Sequence, residues 1–462
     1  MTDSTFRDSI ATVDKQGKRK WVYAQQPKGR WTNIRSVVSL FYFSVFCCLP
    51  FISINGRPLF LLNVVEGRFI LFGAIFWPQD FFIFGLAMLA FIVFIVVFTM
   101  AVGRLFCGWM CPQTIFMEML FRRIEYLIEG DAARQRLLNQ APWTTDKIIR
   151  KTAKHVIFYA LSFLIANIFL AYIIGAGQLK AIITDPLSQH LGGFIAILVF
   201  SGVFYGVFAF MREQICTIVC PYGRLQGVLL DRNSILVAYD YRRGEPRGKF
   251  RKGQQTDLGD CIDCNQCVKV CPTGIDIRNG TQLECINCTA CIDACNFMME
   301  KTGRPKGLIR YASENNIATG EKLRFTPRLK VYSTVLVLLL AAIVSMLVSR
   351  KPVSGTVMRA PGILYQEQGP DSLSNLYRIK LVNKTAHDIP LRLKVEEAGG
   401  VISMIGSSVI HVKAGGQGEG TFFVVLPKTA LHQRKSTVHI GIYDDKNKRI
   451  SLLSTTFLGP VQ

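Results

Sequence analysis

The sequence predicts a multi-domain membrane protein with an α-helical transmembrane bundle of five spans, a cysteine-rich segment before the fifth span and a C-terminal all-β sandwich. Three observations predict this fold class. Half of the 462 residues are hydrophobic, and many of them fall in five long apolar runs. Eight of the fourteen cysteines lie within residues 261–295. After the last run, apolar and polar residues alternate as they do in strands.

The chain begins with residues 1–35, which contain eight Lys and Arg and no apolar run, so we expect a basic, partly disordered arm. The five runs that follow are each close to or above the length that crosses ~30 Å of hydrocarbon. They cover residues 36–54, 81–103, 156–177, 192–211 and 331–349. Segment 58–77 is interrupted by Glu66 and Arg68, whose charges are costly in lipid, and is predicted to be an interfacial hairpin. Cys47 and Cys48, in the first run, are interpreted as apolar packing residues.

The positive residues between the runs predict the orientation of the chain. The arm has eight Lys and Arg, segment 104–154 has nine and segment 212–330 has nineteen, whereas the loops between them have two and one. Because cytoplasmic loops of membrane proteins are enriched in Lys and Arg, we expect the arm and the two rich segments to be cytoplasmic. Membrane topology therefore accounts for much of the net charge of +22 without a nucleic-acid partner.

The C-terminal segment 350–462 follows the fifth span and is expected outside, in the periplasm of a Gram-negative bacterium. Its β-rich stretches are separated by Gly and Pro, and it contains no cysteine. The stretches are 377–381, 391–395, 421–426 and 438–443. This pattern predicts a small β-sandwich whose role is to dock a partner.

The cysteines of segment 212–330 form two quartets, each with the spacing C-x2-C-x2-C-x3-C. The first is Cys261, Cys264, Cys267 and Cys271, and the second is Cys285, Cys288, Cys291 and Cys295. This is the spacing of two-cluster bacterial ferredoxins, in which the fourth cysteine of each run binds the other cluster. We therefore predict one 4Fe-4S cluster on Cys261, Cys264, Cys267 and Cys295 and another on Cys285, Cys288, Cys291 and Cys271. The alternatives are a zinc site or a disulfide framework.

A second cysteine motif, C-x3-C-P, occurs after the second span and again after the fourth. Its cysteines are Cys107 and Cys111 in the first copy and Cys216 and Cys220 in the second. Thiols four residues apart share a helix face, and the following proline is expected to break or restart the helix. Such a motif could bind Cu(I), which prefers soft thiolate ligands, or act as a redox-active thiol pair. The six histidines are scattered and offer no other ligand set. The alternative is that these cysteines only pack between helices.

Five arginines near these motifs are expected to lower the thiol pKa values and favour the thiolates. They are Arg104, Arg122, Arg123, Arg212 and Arg224. A positive charge beside a thiol stabilises its deprotonated form, which is the form that binds metals.

Five stretches of the sequence resemble the family of cytochrome c oxidase accessory proteins known as CcoG, FixG or RdxA. They are 103–114 (GRLFCGWMCPQT), 125–131 (EYLIEGD), 220–226 (CPYGRLQ), 239–247 (YDYRRGEPR) and the doubled ferredoxin run. The resemblance covers nearly the whole chain and implies a C-terminal immunoglobulin-like domain. It implies a bacterial inner-membrane protein that reduces Cu(II) to Cu(I) during assembly of cbb-type cytochrome c oxidase. The C-x3-C-P pair alone is also found in membrane ferredoxins of nitrate and nitrous oxide respiration.

The first hypothesis is therefore an electron-transfer enzyme, a cupric reductase. Copper is its substrate or transient ligand at Cys107, Cys111, Cys216 and Cys220, which are the candidate catalytic residues. The expected partners are a cytoplasmic electron donor, oxidase-assembly proteins and copper chaperones. Two alternatives stay open: a non-catalytic, redox-sensing copper scaffold, and a quinol-linked respiratory ferredoxin, for which the sequence offers no recognisable quinone site.

Overall fold

The computed structural model describes the chain except for a few short gaps. The described residues are 11–14, 16–54, 57–63, 67–72, 74–77, 81–186, 188–249, 258–320, 326–362, 364–369, 371–385, 387–431 and 433–460. The chain divides into two compact units. The first comprises Met1–Phe51 and Gly85–Ala341, and the second comprises Ile52–Phe84 and Ala342–Gln462.

Helix α1 (Arg30–Cys48) begins six residues earlier than the predicted first span. Its N-cap residue, Gly29, has no capping side chain. The Asp293 carboxylate takes that role, accepting hydrogen bonds from the Trp31 N–H at 3.1 Å and the Thr32 N–H at 2.7 Å. The cap of α1 therefore comes from a residue that lies about 260 positions later in the chain.

The predicted disorder of the arm is wrong for its second half. The Gln25 N–H donates to the Lys269 carbonyl at 2.8 Å, and the Tyr126 hydroxyl donates to the Ala24 carbonyl at 3.0 Å. The Arg19 guanidinium lies 3.2 Å from the Glu213 carboxylate. The arm from Arg19 onward is therefore part of the folded first unit, while residues 1–10 lie outside the described residues.

Segment 58–77 and the residues just before it form short antiparallel strands, as expected for a segment that does not cross the membrane. The strands are β1 (Ser53–Ile54), β2 (Arg57–Pro58), β3 (Phe60–Asn63), β4 (Arg68–Leu71) and β5 (Ala74–Phe76). β3, β4 and β5 form a sheet in that order, with Leu61, Ile70 and Ile75 buried on it. Glu66, one of the residues that interrupts the apolar pattern, lies outside the described residues.

The second span is α2 (Phe81–Val102), and the first C-x3-C-P motif follows it as a series of short helices. These are α3 (Leu105–Trp109), α4 (Pro112–Ile115), a π-helix (Phe116–Phe121), α5 (Arg122–Glu129) and α6 (Ala132–Gln140). As predicted, the helix restarts at the proline: Pro112 is the first residue of α4, after the extended Cys111.

The third and fourth spans precede the second motif. The elements are α7 (Thr145–Ile174), α8 (Ala176–Thr184), α9 (Leu191–Gly206), two π-helices (Val207–Met211 and Ile215–Val219) and α10 (Pro221–Leu229). α7 is 30 residues long, because eleven residues, five of them charged, precede the predicted apolar run. Pro221 starts α10 just as Pro112 starts α4.

After α10, segment 212–330, which carries the two cysteine quartets and is called the iron-sulfur segment below, contains few regular elements. They are β6 (Leu236–Tyr239), α11 (Tyr241–Gly244), α12 (Gln266–Lys269), α13 (Ala290–Lys301), β7 (Ile309–Ala312) and α14 (Glu314–Thr319). β6 and β7 pair antiparallel, and their buried residues Val237 and Ile309 pack with the first quartet. Asn296, which directly follows the second quartet, lies inside α13 and accepts a hydrogen bond from the Gly307 N–H at 2.9 Å.

The fifth span is α15 (Pro327–Val348). With α1, α2, α7 and α9, it makes five helices in the described part of the chain that are long and apolar enough to cross a membrane. Their positions confirm the five predicted spans.

The C-terminal region is an all-β sandwich of two antiparallel sheets. Its strands are β8 (Val353–Arg359), β9 (Gln366–Glu367), β10 (Ser372–Asn383), β11 (Ile389–Val395), β12 (Val401–Ile405), β13 (Ile410–Val412), β14 (Gln417–Pro427), β15 (Lys435–Tyr443) and β16 (Arg449–Leu458). One sheet has the order β12-β14-β10-β8, and β9 also pairs with β10. The other sheet has the order β13-β11-β15-β16. The rings of Tyr377 and Phe422 stack in the core, with their centroids 5.8 Å apart. All four predicted β-rich stretches are strands.

Candidate iron-sulfur centres and thiol pairs

The two cysteine quartets share an unusual backbone. The residues immediately before and after the second cysteine of each quartet have a left-handed backbone: Asp263 and Asn265 at φ 52° and 56°, and Asn287 and Thr289 at 53° and 65°. Asp and Asn tolerate this conformation, but for a β-branched residue such as Thr289 it is strained. Strain that recurs at equivalent positions indicates two loops shaped to surround a ligand.

Each loop borders a cavity. The two cavities are lined by the two sets of four cysteines that were predicted to bind the two clusters. One cavity is lined by Cys261, Cys264, Cys267 and Cys295. The other is lined by Cys271, Cys285, Cys288 and Cys291, and Cys267 also reaches it. Most of the remaining lining is apolar, with Met298, Leu308 and Ile309 at the first cavity and Val237, Ile275 and Ile277 at the second. These residues fit two 4Fe-4S clusters, which bind four soft thiolates in a largely dry pocket.

The arrangement does not fit the two alternatives. A zinc ion needs its ligands clustered around one point, and no three His, Cys, Asp or Glu side chains of the described residues are close enough for that. All fourteen cysteines are free thiols. A four-iron cube, by contrast, has its ligands spread around a larger volume.

Burial makes the protein alone a poor environment for thiolates. It raises the pKa of Cys285 and of Cys267 to about 12, and the pKa of Cys288 to about 11. Iron would supply the missing positive charge, because a thiol that coordinates a metal loses its proton.

The first C-x3-C-P motif lies directly on the second of these loops. Cys107 packs with Ile286 and Cys288 in one hydrophobic cluster. A Cβ atom on Gly108 would overlap the Ile286 carbonyl oxygen, so glycine permits this close approach. The Trp109 indole N–H donates to the Asn287 carbonyl at 3.2 Å. The first thiol pair is thus adjacent to the second cavity.

Cys107 is buried, and its thiol has a neutral partner. Its Sγ donates to Gln226 Oε1 at 3.0 Å, and Gln226 Nε2 donates to Thr99 Oγ1 at 3.2 Å. Gln226 belongs to α10, immediately after the second motif. One amide side chain therefore connects the first motif to the helix that follows the second.

The second motif is placed differently, in the π-helix Ile215–Val219 that follows the π-helix Val207–Met211. Arg212 lies between them with φ 49° and ψ −123°, a strained conformation for a residue with a side chain. Cys216 Sγ lies 3.7 Å from Thr114 Oγ1, which belongs to the first motif's helix α4. Cys220 Sγ accepts a hydrogen bond from the Gly223 N–H at 3.4 Å. π-Helical turns are frequent at functional sites.

The four thiols are close enough to affect one another electrostatically. Burial raises the pKa of Cys107; the Arg104 guanidinium opposes this, and charges on Cys111 and Cys220 add to it. Burial also raises the pKa of Cys216 to about 12, to which Cys111 and Cys107 contribute. The two motifs therefore converge on one region of the first unit.

The expectation that neighbouring arginines favour thiolates is wrong for Cys107 and Cys216, because burial outweighs them. Arg104 does act on both thiols, and it also donates to the Leu283 carbonyl beside the second cavity. Arg122 and Arg212 instead pair with glutamates.

A buried ion-pair network surrounds the second motif, and sequence reasoning missed it. The Lys154 ammonium lies 2.7 Å from Glu129 and 3.4 Å from Glu125, and Lys151 lies 2.9 Å from Glu129. Arg212 lies 3.1 Å from Glu125. Arg122 and Arg19 reach Glu213, at 3.6 and 3.2 Å. The available signal was the pair Glu125 and Glu129, four residues apart beside an apolar run, where charges need partners.

Comparison with known proteins gives three family matches. A 4Fe-4S dicluster domain matches residues 211–314, the immunoglobulin-like fold at the C-terminus of FixG matches residues 343–460, and a 4Fe-4S binding domain matches residues 84–130. The last range contains only the two cysteines of the first C-x3-C-P motif.

Three curated proteins are similar over most of the chain. Nitrogen fixation protein FixG of Rhizobium meliloti is 36% identical over 66% of this chain, which spans 60% of FixG. Protein RdxA of Cereibacter sphaeroides is 36% identical over 78% of both chains, and protein RdxB of the same organism is 33% identical over 86% of this chain and 87% of RdxB. A crystal structure of a FixG-related protein from Vibrio parahaemolyticus matches 24% of this chain and all of its own, at 21% identity and a TM-score of 0.21.

Five apolar helices, two cysteine-lined cavities and a β-sandwich define a membrane-bound iron-sulfur electron-transfer protein. Relatives at 33–36% identity over most of its length show which one: the chain belongs to the FixG/RdxA family.

Proposed function

We propose that this protein reduces Cu(II) to Cu(I) in support of the assembly of a cbb-type cytochrome c oxidase. The observation that carries the proposal is the position of the C-x3-C-P thiols. Cys107 shares a hydrophobic cluster with Cys288, which lines the second cavity, and Cys216 Sγ lies 3.7 Å from the Thr114 hydroxyl of α4 in the first motif. Copper held by these thiols would therefore be a close neighbour of an iron-sulfur centre.

The chemistry of the residues suits this substrate. Thiolates are soft ligands that favour Cu(I) over Cu(II), so binding at these four cysteines itself stabilises the product of the reduction. When bound, the two clusters supply one-electron carriers, and the reduction of Cu(II) needs one electron. The raised pKa of Cys107 and of Cys216 keeps both thiols protonated until an ion displaces the proton.

Arg104 is suited to balance the charge that builds up when the thiols ionise. Its guanidinium acts on Cys107, Cys216 and Cys285, and so lies between the thiol pairs and the second cavity. A Cβ atom on Gly223 would be 2.7 Å from Arg104 Nη2, so glycine leaves the space that the guanidinium occupies. One fixed cation thus serves both centres.

In the proposed orientation the arm and the iron-sulfur segment are cytoplasmic, and the sandwich is periplasmic. A cytoplasmic donor would deliver electrons on the same side as the clusters. The sandwich would dock an oxidase-assembly protein or copper chaperone on the opposite side.

The test uses purified full-length protein, reduced anaerobically and freed of excess reductant. Adding Cu(II) should reoxidise the reduced clusters, which restores their visible absorbance, and form an equal amount of Cu(I), captured by bathocuproine disulfonate. The variant with serine at positions 107, 111, 216 and 220 should keep its iron but lose this response. Ferricyanide, which needs no thiol site, should still reoxidise it. Equal rates with Cu(II) in both proteins would reject the proposal, as would a wild type that never responds.

Quinol-linked electron transfer is a second candidate, favoured by a cleft that the sequence did not reveal. Trp143, Lys151, Val156 and the pair His155 and Tyr205 contribute to its walls. The Tyr205 hydroxyl and His155 Nδ1 are hydrogen-bonded at 2.9 Å. The cleft lies where α7 changes from charged to apolar residues, so it combines apolar walls with groups that can take the protons of a quinol.

This candidate is tested by adding decylubiquinol to the oxidised protein under anaerobic conditions and following reduced clusters by EPR. Wild type should be reduced and H155L should not, whereas dithionite should reduce both. A wild type that dithionite reduces and the quinol does not would remove this candidate and leave the cupric reductase standing.

A further inference from the structure

Cys47 and Cys48 end α1, at the opposite end from the iron-sulfur segment. α1 has 19 residues and so extends about 28 Å. At its beginning, Trp31 and Thr32 bond to Asp293, which lies between two cluster cysteines of α13. The two thiols are therefore separated from that segment by about the thickness of the apolar part of a bilayer.

Within the protein, Cys48 is exposed on the surface of the helix and Cys47 is half-buried. The last turn of α1 is bonded to α7, because the Tyr172 hydroxyl donates to the Phe46 carbonyl at 2.7 Å. The two rings also stack, with centroids 5.6 Å apart. Tyr172 lies close enough to Cys47 and Cys48 for a charge on either thiol to act on it.

The same seam between α1 and α7 leads to the inner thiols. Tyr42 lies on α1, four residues before Phe46 and hence on the same face. It is within electrostatic range of both Tyr172 and Cys111, a member of the first C-x3-C-P motif. Phe116, in the π-helix after that motif, contacts Phe46 at 5.2 Å and Tyr42 at 6.4 Å. The π-helix that follows the first motif therefore packs against the last turn of α1, where Cys47 lies.

We propose that Cys47 and Cys48 form a second thiol site, which binds Cu(I) at the end of α1 opposite the iron-sulfur segment. The site rests on the proposed function for the identity of the ion, since copper is the cargo there. Its place at the end of α1 that packs against the π-helix after the first motif makes it the site at which reduced copper is held on the far face of the membrane.

The chemistry selects a soft monovalent ion. Within the described residues, no group of three His, Cys, Asp or Glu side chains is arranged for one metal, so the pair can offer only two sulfurs. Two thiolates suit Cu(I), whereas Zn²⁺ takes four ligands. Adjacent helical residues point in different directions, which disfavours a disulfide, while an ion between two sulfurs tolerates their wider spacing.

The first test counts Cu(I) ions. Copper-free, full-length protein is titrated anaerobically with Cu(I) against bathocuproine disulfonate. The double variant C47S/C48S should bind one Cu(I) fewer than wild type, with its iron content unchanged. S44A, one turn earlier on the same helix, is the matched control and should bind as wild type does. If C47S/C48S binds as much Cu(I) as wild type, with similar affinity, the site does not exist.

The second test separates this site from the proposed reductase. The variant with serine at positions 107, 111, 216 and 220 should still bind one Cu(I), and adding C47S/C48S should abolish it. Binding of that one ion does not require Cu(II)-dependent reoxidation, so the outer site can be present even if the reductase proposal fails. A quadruple variant that binds no Cu(I) overturns the outer site while leaving the reductase test unaffected.

The third test asks which face carries the thiols. In right-side-out membrane vesicles that contain the quadruple variant, a membrane-impermeant maleimide should label Cys48. Cu(I) in excess over its dissociation constant should slow this labelling about tenfold or more. Labelling only in inside-out vesicles, or labelling that Cu(I) does not slow, contradicts the proposal.

Discussion

The two C-x3-C-P motifs have the same pattern in sequence and different surroundings in the structure. The first is held by packing and neutral hydrogen bonds: Gly108 contacts the loop of the second cavity, and Cys107 donates to Gln226. The second lies in a π-helix next to the strained Arg212, within a network of buried charges. An internal repeat can therefore preserve the ligands while the forces that position them differ.

The largest effect is expected from removing a buried charge beside the second motif. R212M leaves the Glu125 and Glu213 carboxylates buried without one of their cations, which should cost about 3–5 kcal/mol of stability. Among the ion pairs of the described residues, none involves Arg104, so R104M at the first motif should cost less. Thermal unfolding of both variants in the same detergent checks this. Equal losses would show that the two motifs do not differ in this respect.

A pair of glycine substitutions tests the packed side. In G108A the new Cβ meets the Ile286 carbonyl, a backbone atom of the second loop, so about four of the eight iron atoms should be lost. In G223A the new Cβ lies 2.7 Å from the end of the Arg104 side chain and 2.8 Å from the Cys216 carbonyl. This variant should keep its iron and lose Cu(I) affinity. G202A, with open space around the glycine, is the control for iron and sulfide analysis. Iron loss from G223A but not from G108A would reverse the comparison.

The pH dependence of E125Q tests the network itself. Burial alone would raise the pKa of Glu125, but Arg212, Lys154 and Arg122 together lower it below its usual value of 4.5. A carboxylate with a lowered pKa contributes stability that is fully present above the pKa of the unfolded chain and is lost as pH falls through the folded value. E125Q should therefore be less stable by about 2 kcal/mol at pH 7. Denaturation curves should show a constant gap to wild type down to about pH 5 and a shrinking gap below it. A gap that widens in acid would refute this.

The smallest effect concerns the neutral contacts of the two thiols. Q226M removes the partner of Cys107 Sγ and of the Thr99 hydroxyl, and should cost about 1 kcal/mol. T114V removes only a 3.7 Å contact with Cys216 Sγ, and should cost less than about 0.5 kcal/mol. Denaturant midpoints measured side by side distinguish the two. A larger loss in T114V would mean that Cys216 depends on Thr114 more than its geometry indicates.

The sequence predicted the features that depend on local spacing. Five spans follow from run length, four strands of the sandwich follow from alternation or β-rich composition, and the prolines at 112 and 221 start helices as expected. The crossed division of the quartets between two cavities agrees with the predicted ligand sets, which remain predictions until metal is measured.

Features that depend on burial could not be predicted in this way. The thiol pKa values rise because Cys107 and Cys216 are enclosed by residues distant in sequence, a fact that counting nearby arginines does not reveal. The order of the arm, the ion pair between Arg19 and Glu213 and the strained backbone of Arg212 also depend on tertiary contacts. Each involves partners about ninety to two hundred and forty positions apart, beyond the reach of any periodicity.

The cap that Asp293 supplies to α1 has a consequence for biosynthesis. During synthesis, α1 emerges long before Asp293 exists, and Gly29 offers its first turn no side-chain acceptor. The earliest helix to be made is thus completed only when α13 arrives. Because α13 carries both Cys291 and Cys295, which line different cavities, that single docking event joins membrane insertion to the maturation of both metal centres. A chain truncated before residue 293 would be expected to insert its first helix and yet leave it unfinished.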